Sequence, residues 1–213
     1  DQRQIVDNEE IVNTLKDKLE VVDNMLHHLD YSNFNNLDNT EKYNLIKDGA
    51  NIVLSSEELK KRFMSESLNV KNLYTLCNGI LEQIYKDKSL FIISVRSFIS
   101  KISNEHKLDV SEINKTVGQM LEESIREDEL INLGELSRGN SLELLSNNML
   151  SKLRNLKDKN VAAEVLSRAI KTTIKDIGKV NLTLQEKFST KFNKIVDAYN
   201  ERTDLADIEK IIE

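Results

Sequence analysis

The sequence predicts an all-α fold, an irregular multi-helix bundle of about eight helices with no significant sheet. The 213 residues include no proline and only six glycines, and proline is common in loops and at strand edges but largely excluded from helix interiors. Apolar residues recur every three or four positions along most of the chain, which is the period of an amphipathic helix. A chain of this length buries one substantial core or two small ones.

Two amphipathic helices in tandem are predicted between residues 157 and 202. The apolar stripe of the first contains Val161, Ala162, Val165, Leu166, Ala169, Ile170, Thr173, Ile174 and Ile177. The second has an inward seam of Leu184, Phe188, Phe192, Ile195 and Tyr199. Gly178 lies where a helix commonly ends in a left-handed residue, and Thr183 with Glu186 has the spacing of a capping box. The pattern predicts two helices joined by a short turn.

The first half of the chain predicts five further helices. The first spans residues 7–29, the second begins near residue 40, and the other three span 55–86, 87–105 and 110–125. Ser55 with Glu58 predicts the cap of the third, whose inward side chains are Leu59, Phe63, Leu73, Cys77, Ile80 and Ile84. The fourth is expected to be the most buried, with a strand over 90–95 as the alternative. The loop over residues 30–39 carries Tyr31 and Phe34, whose rings are expected to pin it to the body.

The predicted organisation has an N-terminal helical part over residues 1–125 and a C-terminal helical part over 146–213, packed together as one domain. An irregular linker over 126–145 joins them, and a last short helix follows Arg202. Since the sequence opens without a methionine, we expect it to be a piece of a longer protein.

No catalytic residue or metal ligand is predicted. None of the six glycines has the setting of a phosphate-binding loop, and three histidines with one cysteine form no zinc pattern. Acidic pairs at 122–123 and 128–129 lie in a charged stretch typical of a solvated surface, with acid–base or Mg²⁺ chemistry as the alternative. The sequence therefore favours a non-enzymatic piece without a cofactor of its own.

The single cysteine and the lack of a membrane segment favour a cytoplasmic protein. Cys77 lies among apolar residues, where a buried structural thiol is expected in preference to a reactive one. No apolar run approaches the roughly 20 residues that cross a bilayer.

Charge is distributed unevenly. The net charge is −6, which argues against wrapping of DNA. Residues 112–143 contain eight acidic and three basic residues, whereas 152–197 contain eleven basic and five acidic ones. Opposed blocks of this kind favour docking.

A basic ridge is predicted within the second block, on the helix face opposite the apolar stripe, because its members follow a helical spacing of three, four and four. The basic ridge consists of Arg168, Lys171, Lys175 and Lys179. It is interpreted either as a solvated face or as a contact surface for an acidic partner or DNA backbone. Stacking on single-stranded bases is disfavoured, because no aromatic residues alternate with the lysines. We expect a protein-docking face with weak auxiliary phosphate contact.

Several short patterns resemble one known family. In the tandem helices these are Lys159-Asn160-Val161-Ala162, Glu164 and Leu166, then Lys187-Phe188-Ser189, then Tyr199-Asn200-Glu201-Arg202. They are similar to the C-terminal helical region of the restriction (R) subunit of type I restriction-modification enzymes. The run Met25-Leu26-His27-His28-Leu29-Asp30-Tyr31-Ser32-Asn33-Phe34 resembles a stretch that follows the motor domains of the same subunit.

The resemblance implies a parent chain that uses ATP and Mg²⁺ to pull DNA and cuts it far from the recognition site. This region would then tether the motor and nuclease to the modification (methyltransferase) and specificity subunits, and DNA would be contacted mainly by the rest of the parent chain. A stand-alone helical adaptor unrelated to DNA enzymes is the alternative, and the sequence upstream of Asp1 would discriminate between them.

Overall fold

The computed structural model describes residues 2–27, 29–103 and 155–200, which contain six α-helices, a single turn of 3-10 helix at Phe34–Asn36 and no strand. The helices are α1 Gln2–Met25, α2 Asn39–Val53, α3 Glu57–Cys77, α4 Gln83–Ser103, α5 Lys159–Gly178 and α6 Leu182–Asn200. The all-α prediction is confirmed for these residues. Six helices are described instead of about eight, and the helices predicted over 110–125 and after Arg202 lie outside the described residues.

The chain divides into two compact units. Among the described residues, the first unit contains α1 to α3 and α4 as far as Ile99, and the second contains the end of α4 from Ser100 together with α5 and α6. The linker predicted over 126–145 lies outside the described residues.

Within the first unit, side chains before α2 and α3 fix where those helices begin. The Asp38 carboxylate accepts from Glu41 N at 2.8 Å, and Asp38 N donates back to the Glu41 carboxylate at 3.0 Å, which completes a capping box. Ser56 Oγ accepts from Leu59 N at 3.1 Å and caps α3. The cap predicted at Ser55 is therefore wrong by one residue.

The boundary between α3 and α4 differs from the prediction. One helix was expected through residue 86, but α3 ends at Cys77 and α4 begins at Gln83. Ile80 and Ile84, predicted to face inward, are 55% and 47% exposed. Apolar residues continue through the intervening turn, so the helical period alone does not reveal the break.

Helix α4 has more buried residues than any other described helix, as predicted. Phe91, Ile92, Val95 and Ile99 have no exposed surface, and the whole segment is helical, so the alternative of a strand is wrong. Gly49 on α2 lies so close that a Cβ there would approach the Phe91 ring and a Val95 methyl at 3.0 Å. The absent side chain lets α2 approach α4.

The loop before α2 is held by aromatic packing, as expected. The Tyr31 ring stacks on Phe91 with centroids 4.3 Å apart, and Phe34 meets the same ring edge-on at 5.4 Å. Tyr31 and Phe34 are buried. Asp23 on α1 accepts from the Tyr31 hydroxyl and pairs with Lys88 Nζ at 2.5 Å. The loop is thus tied to both α1 and α4.

The remaining first-unit predictions concern α1 and the thiol. Helix α1 begins at Gln2 and ends at Met25, earlier at both ends than predicted, and His27 follows with a φ of 24°. Cys77 is buried, its Sγ donates to Leu73 O at 3.1 Å, and burial raises the pKa of the thiol.

No helix in the described ranges combines the length and the apolar character needed to cross a bilayer.

Candidate functional site

The second unit is built around the first half of α5. Asn160, Val161, Ala162 and Ala163 are four consecutive buried residues, and four consecutive positions point to all sides of a helix. Val165 and Leu166 are also buried. The N-terminal half of α5 is therefore core on every side, whereas Lys171 and Lys175 in its second half are exposed.

Arg168 differs in burial from the rest of the basic ridge. It is half-buried, and its Nη1 donates to the Lys101 carbonyl in the last turn of α4 at 3.3 Å. Burial lowers the pKa of the guanidinium. Arg168 thus acts as a packing contact of the second unit.

The other three members of the ridge are exposed. Lys171 and Lys175 are exposed on α5, and Lys179 is exposed in the turn that follows it. Arg168 is the one member of the ridge that is half-buried.

The turn between α5 and α6 also differs in detail from the prediction. Gly178 is the last residue of α5 and does not adopt a left-handed φ. Asn181 Oδ1 accepts from Leu184 N at 3.0 Å, so Asn181 caps α6. The capping box predicted at Thr183 and Glu186 is wrong, because α6 already begins at Leu182.

Helix α6 leaves much of its predicted seam exposed. Phe192 is buried, but Leu184, Phe188 and Ile195 are 40%, 41% and 44% exposed. These three residues fall within about 40° of one another around the helix, and we call them the apolar stripe of α6. The side chain of Tyr199 is not among those that the structure describes. The prediction that the whole seam faces inward is therefore wrong.

The two flanks of the apolar stripe of α6 are different. On one flank, Gln185, Ser189 and Val196 are half-buried beside the buried Phe192, and a Cβ at Gly178 of α5 would meet the Gln185 amide. This flank packs against α5. On the other flank stand three exposed lysines, which we call the lysine row: Lys187, Lys191 and Lys194.

The sequence patterns did not predict that the lysine row lies beside an exposed apolar stripe. The acidic residues Glu186 and Asp197 project about 180° from Phe188, on the far side of α6. A helical projection of the sequence shows that the lysines and the acidic residues of α6 lie on different sides of the apolar residues. The projection does not show which edge of the apolar face α5 covers.

The described residues form no candidate metal site. In the described ranges, no three His, Cys, Asp or Glu side chains come together in a way that could hold a metal ion. The described part of the second unit exposes apolar and basic side chains on α5, α6 and their turn, and it exposes Glu186 and Asp197 on the far side of α6. The acidic pairs at 122–123 and 128–129 lie outside the described residues, as does His28.

Comparison with protein-family models matches residues 1–213 to the family described as type I restriction enzyme HindI endonuclease subunit-like, C-terminal. No curated protein and no solved structure matches the chain. The match covers the entire sequence, both described units included, and agrees with the resemblance carried by the tandem helices. The chain belongs to the C-terminal family of type I restriction enzyme HindI endonuclease subunit-like proteins.

Proposed function

We propose that this region is a non-catalytic helical assembly domain. It docks the ATP-dependent DNA translocase and endonuclease of its subunit onto the modification (methyltransferase) and specificity subunits of the same complex. The observation that supports it most is the family match over residues 1–213. The exposed apolar and basic surface of the second unit is the kind of feature that such docking requires.

A deletion tests this function. The subunit with and without residues 1–213 is mixed with the purified core of modification and specificity subunits, and binding is measured by calorimetry and light scattering. The intact subunit is expected to bind, and the deleted one to lose at least about tenfold in affinity, equivalent to about 1.4 kcal/mol. Equal affinity of the two forms would contradict the proposal.

ATP and Mg²⁺ have no part in the proposed role of this region. Mg²⁺ bound with ATP needs carboxylate and phosphate oxygens in a nearly octahedral arrangement, and the described residues offer no cluster of acidic ligands. We assign both to the rest of the parent chain, together with most of the contact with DNA and the cutting of it. We place the complex in the cytoplasm, where its DNA substrate lies.

The basic ridge contributes through its exposed lysines. The double reversal Lys171→Glu/Lys175→Glu is expected to weaken assembly or low-salt DNA affinity severalfold, because exposed charges act mainly through screened long-range attraction. A matched control is Lys61→Glu/Arg62→Glu on α3, which makes the same change in net charge at two exposed positions of the first unit. If the ridge variant matches the control in both measurements, the ridge has no docking role.

The second candidate is a stand-alone helical adaptor unrelated to DNA enzymes. An all-α fold with an exposed apolar stripe suits an adaptor equally well. The family match favours the restriction-enzyme role over it. Motor and nuclease motifs upstream of Asp1 in the gene would support the first role, and a start codon there would support the adaptor.

A further inference from the structure

We infer that the apolar stripe of α6 and the lysine row beside it form a docking surface for a protein partner. The occupant is a surface of the modification–specificity core that presents an apolar groove next to aspartate and glutamate side chains. This inference rests on the proposed function and adds to it the surface that docks and the chemistry of its partner.

The first step is that the stripe is exposed. Leu184, Phe188 and Ile195 are each at least 40% exposed along three turns of one helix. Val180 in the preceding turn and Leu182 at the first position of α6 are 91% and 70% exposed. Scattered apolar residues are normal on a protein surface, but a contiguous set that includes an aromatic ring marks an interaction site.

The second step is that charge selects the partner. The lysine row borders the stripe along its open flank, and the acidic residues of α6 lie on the opposite face. A partner with acidic side chains along this edge is attracted by the lysine row before contact, and the same charges fix its orientation. The lysines' own hydrocarbon stems extend the apolar surface at the rim.

Two other occupants fit this surface less well. In an antiparallel two-fold pair of α6 helices, symmetry brings the two lysine rows to the same edge, where like charges repel. Duplex DNA offers phosphates to the lysines but no apolar surface to Phe188 and its neighbours. A protein with an acidic-rimmed groove satisfies both halves of the surface.

Photo-crosslinking tests where the stripe lies in the complex. Phe188 is replaced with benzoylphenylalanine in the subunit, the complex with the core is irradiated, and cross-linked peptides are identified by mass spectrometry. We expect cross-links to a modification or specificity subunit segment that contains several acidic residues. Cross-links only to residues 104–154 or 201–213 of the same chain, to a second copy or to bound DNA, or no cross-link in an assembled complex, would overturn the inference.

Affinity measurements supply the second arm. The variants Phe188→Ser/Ile195→Ser and Lys187→Glu/Lys191→Glu are expected to weaken binding to the core by at least about tenfold, because few residues carry most of an interface's energy. The charge variant should also reduce the salt dependence of binding, and it keeps the test valid if the serine variant fails to fold. Lys61→Glu/Arg62→Glu is the matched control and should bind within about twofold of the unaltered subunit.

The results separate the inference from the proposed function. If the core binds but the α6 variants bind as tightly as the control, the docking surface is elsewhere and only the inference fails. If the unaltered subunit does not bind the core at all, both fail.

Discussion

Arg96 is a buried cation in the middle of α4. Its Nη1 donates to the Met64 carbonyl and, at 3.3 Å, to Ser67 Oγ, and burial lowers the pKa of the guanidinium. Both acceptors are neutral groups within α3. The side chain therefore joins α4 to α3 through these hydrogen bonds and through its buried hydrocarbon chain, and the polar contacts offset part of the cost of desolvating its charge.

Two substitutions at Arg96 separate packing from polarity. Arg96→Ala removes the packed chain and is expected to lower the free energy of unfolding by about 2–4 kcal/mol. Arg96→Met keeps the volume and buries no charge, so a change within about 1 kcal/mol is expected. Urea unfolding followed by circular dichroism measures both. An equally large loss for Arg96→Met would show that the hydrogen bonds, and not the packing, hold α3 to α4.

A second residue-scale prediction concerns pH. Lys18 Nζ lies 2.9 Å from a Glu66 carboxylate oxygen, and this hydrogen bond is the main reason that the pKa of Glu66 is lowered from 4.5. A carboxyl group with a depressed folded-state pKa contributes stability above its unfolded pKa and loses it as the pH falls through the folded value.

The substitution Lys18→Met tests this contact. It is expected to destabilise the protein at pH 7 by at most about 1 kcal/mol, because the pair is only partly buried, and this loss should shrink as the pH falls through the folded-state pKa of Glu66. The measurement is chemical unfolding across a series of pH values from neutral to acidic. A loss that does not change with pH would mean that Lys18 acts through packing alone.

At the scale of elements, the turn between α5 and α6 depends on a side chain that precedes the expected cap. Asn181 Oδ1 binds the Leu184 amide, whereas Thr183 is an exposed residue inside the first turn of the helix. An N-cap side chain satisfies a backbone donor that otherwise has no partner within the helix. The position of this cap sets where the exposed stripe of α6 begins.

Alanine substitutions distinguish the two positions. Asn181→Ala is expected to destabilise α6 by about 1 kcal/mol through loss of the cap, and Thr183→Ala is expected to change stability by less than about 0.5 kcal/mol. Hydrogen exchange of the first-turn amides of α6 reports the difference directly. Faster exchange in Thr183→Ala than in Asn181→Ala would contradict the observed cap.

At the scale of the whole molecule, the net charge of the chain predicts weak binding to DNA. The net charge is −6, while the described part of the second unit exposes lysines on both α5 and α6. An acidic molecule with exposed lysines attracts acidic proteins locally but gains little from the release of counterions along a duplex.

The isolated chain is accordingly expected to bind duplex DNA weakly. We expect a dissociation constant of about 100 µM or weaker at physiological salt, the weak end of non-specific binding. Fluorescence anisotropy with a labelled duplex, repeated at low salt with Lys171→Glu/Lys175→Glu, measures both the affinity and the share due to the ridge. Sub-micromolar binding at physiological salt would assign this region a primary role in holding DNA.

Much of the architecture is predictable because its signals are local. The lack of proline and the recurrence of apolar residues predict helices, and Tyr31 and Phe34 are predictable as anchors because large rings in a polar loop have few other roles. The end of α3 is not predictable in this way. Ile80 and Ile84 continue the period, and the turn between the helices puts both into solvent.

The sequence by itself determined the helical class and, through short patterns in the tandem helices, the family. Only the tertiary structure decided that Arg168 donates to the Lys101 carbonyl of α4 and that Phe192 is covered while Phe188 is exposed. Helical period and composition are properties of neighbouring residues. Which side of an apolar helix is covered depends on segments distant in sequence, and the periodic pattern is the same whether a partner lies within the chain or outside it.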